Sequence, residues 1–339
     1  MAPSTQRRAD TTTDTPGDVF ARLSEPYRRE LLAYCYRMLG SIHDAEDVLQ
    51  ETYLQAWRGY DGFEGRASIR TWLYRIATRA CLKALEGNGR RPLPSGLGGP
   101  SEDPEQPLRP SLLETPWLQP APDTLFGTAP ADPAAVVEAR QNMRLGFVAA
   151  LQYLPGRQRA VLILRDVLAW RATEVAALLG TTTAAVNSAL QRARTQLGQV
   201  APTQDGITEP TEPDLRALLD RYATAFETAD IATLTGLLAA DAVWEMPPVP
   251  TWFAGRETIG RFLAAKILSA GAYRLAPATV NGEPSFGSYT RDHTGVYRPH
   301  ALQVLSVTPA GITHVVAFLD PGLFPLCHLP ASLPDTPGR

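Results

Sequence analysis

The chain has 339 residues, 44% of them hydrophobic and 20% charged, with a formal net charge of −3. That balance is globular, excludes a wholly disordered or collagen-like chain, and at this length accommodates roughly two or three domains. Cys35, Cys81 and Cys327 stand far apart with no CxxC or Cys/His spacing, which argues against a disulfide framework or structural zinc site and fits a reducing compartment.

Residues 1–18 are polar, have no apolar h-region, and read as a disordered lead rather than a signal peptide. No run approaches the ~18 apolar residues of a membrane span, so a cytoplasmic protein without membrane contact is expected. Residues 19–86 carry helical patterning with no proline after Pro26. Residues 87–133 read as a linker: the stretch 87–135 holds 11 prolines and 6 glycines in 49 residues, a density that disfavours helix interiors and strand ladders. Pro116-Trp117-Leu118-Gln119-Pro120 nevertheless carries a tryptophan that a plain spacer does not need. Helical periodicity returns over 134–200, and 201–213 is a second, shorter linker.

Asp214–Ala229 then reads as an amphipathic helix opening a tail, 214–329. Its strand-like segments are Ala242–Met246, Gly287–Tyr297, Ala301–Val307 and Thr313–Leu319, and the proline-rich residues 330–339 are expected to be loose. The expected fold class is multidomain: two all-α blocks, the second a helix-turn-helix, and an α+β tail.

Charge is distributed by block. Residues 66–91 carry a net +6, residues 151–198 a net +4, and residues 211–339 a net −3. Basic blocks on a near-neutral chain are the footprint of a polyanionic partner. Within the first block, Asp44-Ala45-Glu46-Asp47-Val48-Leu49-Gln50-Glu51 has four acids and no base. Asp44, Asp47 and Glu51 share one helical face. They are either N-terminal acids favoured by the helix dipole or a docking face for a basic protein. Twenty residues on, Arg66, Ser68, Arg70, Thr71, Trp72, Tyr74, Arg75 and Arg79 interleave bases with aromatics. The arginines suit phosphates, and Trp72 or Tyr74 suits stacking on an unpaired base. The bland alternative puts Trp72 and Ile76 in the core and leaves the arginines solvated.

In the second block a short helix ends at Gly180, and Thr181-Thr182-Thr183 supplies a hydroxyl N-cap for the next. Ala176 at the crossing, Gly180 in the turn, and Val186 and Leu190 facing inward make a helix-turn-helix pattern. Its outer face offers Arg171, Thr182, Thr183, Asn187, Gln191, Arg192 and Arg194 to a major groove. A plain αα-hairpin is the alternative.

Taken together, "DAEDVLQETYLQAW" (44–57), "FEGRASIRTWLYRIATRACL" (63–82) and "LPGRQRAVLILRDVLAWRATEVAALLGTTTAAVNSALQRARTQL" (154–197) resemble sigma-70-type RNA polymerase sigma factors of the extracytoplasmic-function group. The resemblance implies that Asp44, Glu46, Asp47, Gln50 and Glu51 dock on core RNA polymerase. It implies that 61–79 melts and reads the minus-ten promoter element, and that 183–194 reads the minus-thirty-five element. The partners implied are core polymerase and promoter DNA, with no cofactor, metal or catalytic residue.

Minimal members of that group end after the helix-turn-helix, whereas this chain continues for about 140 residues. "PWLQPAPD" (116–123) resembles a linker signature of the subgroup whose tail is related to SnoaL polyketide cyclases. "LRALLDRYATAFETADIATLTGLLAADAVWEMPP" and "PTWFAGRETIGRFL" fit that tail, which implies an α+β cone that regulates the sigma blocks. Tyr222, Phe226, Trp244, Met246, Trp252, Phe253 and Phe262 either line a small-ligand pocket in it or are plain core. Asp292, His293, His314 and Tyr222 are candidates there for proton transfer, with no spacing that unites them and both histidines placed on strands. The alternative to a transcription initiation factor is therefore a SnoaL-like small-molecule enzyme with a fused DNA-binding helix-turn-helix regulator.

Overall fold

The structure, a computed structural model, describes residues 16–65, 67–87, 89–126, 140–200 and 212–334. The expectations for residues 1–15, 66, 127–139, 201–211 and 335–339 lie outside it.

The first block is four helices: α1 (Pro16–Ser24), α2 (Arg28–Leu39), α3 (Ile42–Gly59) and α4 (Ile69–Gly87). The helix α1 begins inside the expected lead, because Phe20 is buried and packs edge-on against Tyr53, Trp57 and Tyr60. Gly40 ends α2 at φ +69, the left-handed stop that glycine tolerates best. Ser41 then caps α3, its Oγ accepting from the Asp44 N–H at 3.1 Å.

The second block comprises α5 (Leu145–Leu151), α6 (Gly156–Leu162) with a π-helical turn over Ile163–Val167, α7 (Ala172–Leu179) and α8 (Thr183–Val200). Gly180 sits at φ +63 between α7 and α8, and Thr182 Oγ1 accepts from the Ala185 N–H at 3.2 Å. Ala176, Val186 and Leu190 are buried between the helices, which is the packing a helix-turn-helix requires.

The tail opens with α9 (Glu212–Thr228) and α10 (Ile231–Leu237). Six strands follow: β1 (Leu238–Met246), β2 (Val249–Ala254), β3 (Tyr273–Val280), β4 (Glu283–Arg291), β5 (Tyr297–Thr308) and β6 (Gly311–Phe318). Two helices, α11 (Arg256–Phe262) after β2 and α12 (Leu323–Leu326) after β6, complete it. The sheet order is β2-β1-β6-β5-β4-β3, with β1 and β6 parallel and the other pairs antiparallel. The expected strand Gly287–Tyr297 is in fact the end of β4, a turn and the first residue of β5. Asp292 makes that turn: its Oδ1 accepts from the N–H groups of Thr294 and Val296. Neither β2 nor β3 was legible as a strand.

Strand alternation gives the sheet two apolar faces. Ala301, Leu305, Val315 and Ala317 face α9–α11 inside the cone, while Leu302, Val304, Val316 and Phe318 join a core that is continuous through both helical blocks. The tail is thereby fused to the helical blocks by apolar packing.

The expected linker is not a spacer over its described part, 89–126. It is an ordered strap. Leu93, Leu118 and Ala121 are buried. Its prolines carry no N–H and cannot build a ladder of their own, so its polar backbone groups bond to neighbours. The Gln119 N–H donates to Gly40 O at 3.0 Å, Ser101 N–H to Trp252 O at 2.8 Å, and Leu112 N–H to Pro248 O at 2.9 Å. Residues 330–334, expected loose, are also held. Tyr289 Oη donates to Pro330 O at 2.8 Å, and Leu333 exchanges backbone bonds with Tyr297.

Candidate functional site

Three surfaces carry the residues singled out in the sequence. On α3, Glu46, Asp47, Gln50 and Glu51 are exposed. Leu54, one turn beyond Glu51 on the same face, is 44% exposed, and Trp57 is 49% exposed. Acids around protruding apolar side chains are suited to a protein partner. Asp44 differs from the rest. Its carboxylate pairs with Arg91 of the strap, whose other guanidinium nitrogen donates to Trp117 O at 3.1 Å.

The outer face of α8 presents Thr183, Asn187, Gln191 and Arg192 to solvent, with Thr182 exposed just before it and Arg171 just before α7. Arg194 is ion-paired with Asp166 through Nε at 2.9 Å and Nη2 at 2.7 Å. Its side chain is 61% exposed, so the pair is worth about 0–1 kcal/mol and yields easily to a phosphate.

The helix α4 departs from expectation. Ser68 and Arg79 are exposed, Thr71, Trp72 and Arg75 are half-buried, and Arg66 lies outside the described residues. Trp72 rests on Phe63 with ring centroids 4.9 Å apart. Tyr74, a candidate stacking ring, is fully buried between Tyr34, at 5.2 Å, and Trp170 of the second block, at 5.1 Å. Its face is therefore closed to a base. Arg70 is held by Glu30, Nε to Oε1 at 2.8 Å, and its guanidinium lies 5.3 Å from the Tyr74 and Trp170 ring centres. Burial depresses the Arg70 pKa, but the bond and charge of Glu30 outweigh it and raise the value. Periodicity did not expose these contacts because Trp170 comes from 96 residues further on in sequence.

The two helical blocks are thus in direct contact. Arg159 on α6 is buried and donates to Met38 O on α2 and to Gln152 Oε1 at 2.7 Å. Burial lowers its pKa to about 10.

The turn between β3 and β4 is where strap, both blocks and tail converge, and sequence reading passed over it. Asn281 is fully buried at φ +56, a conformation asparagine tolerates better than most residues. Its Nδ2 donates to Tyr36 Oη on α2 at 2.9 Å and to Met143 O before α5 at 2.8 Å. Its Oδ1 accepts from the Ala121 N–H of the strap at 2.9 Å. The Gly282 N–H donates to Asp123 Oδ1 at 2.7 Å. Glu283 is buried, accepts from the Leu145 N–H at 2.8 Å and Ser306 Oγ at 2.6 Å, and lies 3.7 Å from Arg144. Burial pushes the Glu283 carboxyl up, against the pull of these donors. A second buried carboxylate, Glu245 on β1, accepts from Ser95 N–H at 2.7 Å and Ser95 Oγ at 3.1 Å and contacts His314 Nε2 at 2.8 Å. The Asn281-Gly282 dipeptide, a strong hairpin signal, and the lone acid in the apolar run Val243-Trp244-Glu245-Met246 were the available clues.

Inside the cone, Tyr222, Phe226, Trp244, Met246, Phe253 and Phe262 are buried together. Phe253 stacks on Phe262 at 4.3 Å, and Tyr222 Oη donates to Gln303 Oε1 at 2.8 Å. Trp252 does not join them. Adjacent strand residues point to opposite faces, and its Nε1 donates to Gly98 O of the strap at 2.9 Å. Of the proton-transfer candidates, Asp292 and His293 lie at the β4–β5 turn, so His293 is not on a strand, and His314 is bound to Glu245.

The comparisons follow this division. Family models for sigma-70 region 2, sigma-70 region 4 and a SnoaL-like domain match residues 23–91, 144–197 and 219–318. The chain is 50% identical over 334 residues to the ECF RNA polymerase sigma factor SigG of Mycobacterium tuberculosis, covering 98% of this chain and 87% of that one. The chain belongs to the extracytoplasmic-function RNA polymerase sigma factors. It is also 28% identical over 295 residues to SigJ of the same organism, covering 84% and 86% of the two chains. The crystal structure of SigJ shares the fold of this sigma factor, with a TM-score of 0.60 over 90% of this chain and 98% of that one, at 23% identity.

Proposed function

We propose that this sigma factor binds core RNA polymerase through the exposed face of α3, reads the minus-thirty-five duplex with α8 and the minus-ten strand with α4, and is restrained by its tail. The observation that carries the restraint is the burial of Tyr74 of α4 against Trp170 of the second block. Elements at −10 and −35 lie about 25 base pairs apart, about 85 Å of B-DNA. Two blocks whose rings touch cannot reach both at once. The 57 residues from 88 to 144 span about 190 Å when extended, so release of the strap suffices for the reach. Asn281 and Glu283 at the β3–β4 turn, with Glu245 on β1, hold strap and blocks to the tail and together form a latch.

The tail works by contact rather than turnover. Asp292 shapes a turn, and Tyr222 and His314 are each committed to an internal partner. The stacked aromatic interior is core. The protein acts in the cytoplasm beside the polymerase, and no helix among the described residues is long and apolar enough to cross a membrane.

Promoter-specific run-off transcription with purified core polymerase tests this, comparing the wild type with Asn281→Ala. Initiation by both, higher for the variant at limiting protein, is expected. Absence of initiation and of core binding for both overturns the sigma reading, and equal initiation overturns the latch.

A further inference from the structure

A cleft of about 250 Å³ lies where α4 meets the helix-turn-helix. Arg75, Thr78, Arg79 and Leu82 of α4 form one wall, Arg157 of α6 another, and Ala177 to Leu179 of α7 with the following Gly180 the third. Three guanidinium groups line it and no carboxylate does. Among the described residues, neither a carboxylate nor a carbonyl accepts from Arg75, Arg79 or Arg157, and Arg75 Nε is buried without an acceptor. Elsewhere in the two blocks, by contrast, Arg70 is held by Glu30 and Arg194 by Asp166. A buried donor without an acceptor is a standing cost, and three cations sharing a cleft repel one another. A multivalent anion relieves both. Forked guanidinium groups match phosphate oxygens in particular.

We propose that this cleft binds a small multivalent phosphate anion of the diphosphate class, and that the bound anion tightens the contact between the two helical blocks. The cleft has walls from both blocks, so it exists only while they touch. Its occupant competes with DNA for Arg75 and Arg79, because both requirements fall on the same side chains. The site rests on the closed arrangement and not on its role in initiation.

Calorimetric titration of the full chain with sodium pyrophosphate at constant ionic strength tests the site, with no polymerase or promoter present. Saturable binding near one per chain is expected, with a raised melting temperature. Arg157→Ala, an exposed substitution outside the DNA-facing sets, should weaken it at least tenfold, while Arg192→Ala on the outer face of α8 should leave it unchanged. A single-stranded oligonucleotide should be displaced from the chain by pyrophosphate. Absence of saturable binding overturns the proposal, as does a melting shift no larger than that given by sodium chloride of equal ionic strength. Equal loss in Arg157→Ala and Arg192→Ala, or retention in both, also overturns it by showing general attraction to a basic surface. Binding at Arg157 without displacement of the oligonucleotide removes the competition with DNA and overturns that part.

Discussion

Asn281 donates from Nδ2 to Tyr36 Oη at 2.9 Å across 245 residues of sequence. The same amide holds Met143 O and the Ala121 N–H, so one side chain ties the tail to the first block, the second block and the strap. Loss of that amide orphans Met143 O and the Ala121 N–H, each at a cost of about 1–3 kcal/mol, while Tyr36 Oη keeps its bond to Gln119 O. Asn281→Gly keeps the left-handed backbone available and isolates the side-chain loss. It should lower the urea midpoint and enlarge the radius of gyration in small-angle scattering. An unchanged radius means the latch does not hold the blocks.

Glu283 supplies a pH signature. Its folded pKa is raised by burial, so the folded state binds its proton more tightly than the unfolded state, whose value is near 4.5. Its contribution is full below that value and is lost as pH rises through the raised folded value. Glu283→Gln stays neutral throughout. The melting temperature of the variant relative to wild type should therefore climb in that window and level off above it. A difference that is flat with pH, or falls, contradicts the assignment.

Charge reversal on α3 tests docking. Asp47→Lys with Glu51→Lys should weaken binding to core polymerase while leaving the unfolding free energy within about 0.5 kcal/mol of wild type, since both side chains are exposed. Leu54→Ala should also weaken binding through lost apolar contact. Unchanged affinity in all of these removes α3 as the docking face.

Asn187→Ala and Arg192→Ala should each cost about 1–3 kcal/mol in discrimination at the upstream element, measured by competition among promoter variants. Arg194→Ala should weaken binding evenly across sequences, as a phosphate contact does. If Asn187→Ala and Arg192→Ala both keep wild-type selectivity, α8 is not the reader.

Trp72 and Tyr74 separate function from fold. Tyr74→Ala removes a buried ring and should cost about 3–5 kcal/mol of stability. Trp72→Ala is half-buried and should spare the fold, impairing open-complex formation more than closed-complex binding. Permanganate footprinting of the melted strand beside gel-shift affinity distinguishes the two steps, and equal loss in both counts against stacking by Trp72.

The sequence alone determined the division into two helical blocks and an α+β tail, the acidic stripe of α3 and the helix-turn-helix with its exposed polar face. Each of these is a local pattern: a periodicity of 3.6, a glycine stop, a hydroxyl cap, a run of one charge sign. Only the tertiary structure decided that the proline-rich stretch is a strap, that Tyr74 is shut against Trp170, and that Trp252 leaves the aromatic core for the strap. It also decided that Asn281, Glu245 and Glu283 are the fastenings. Those facts depend on groups 80 to 250 residues apart meeting in a dry interior, where a polar side chain persists only beside its partner. Spacing along a chain carries no record of which distant segment supplies that partner.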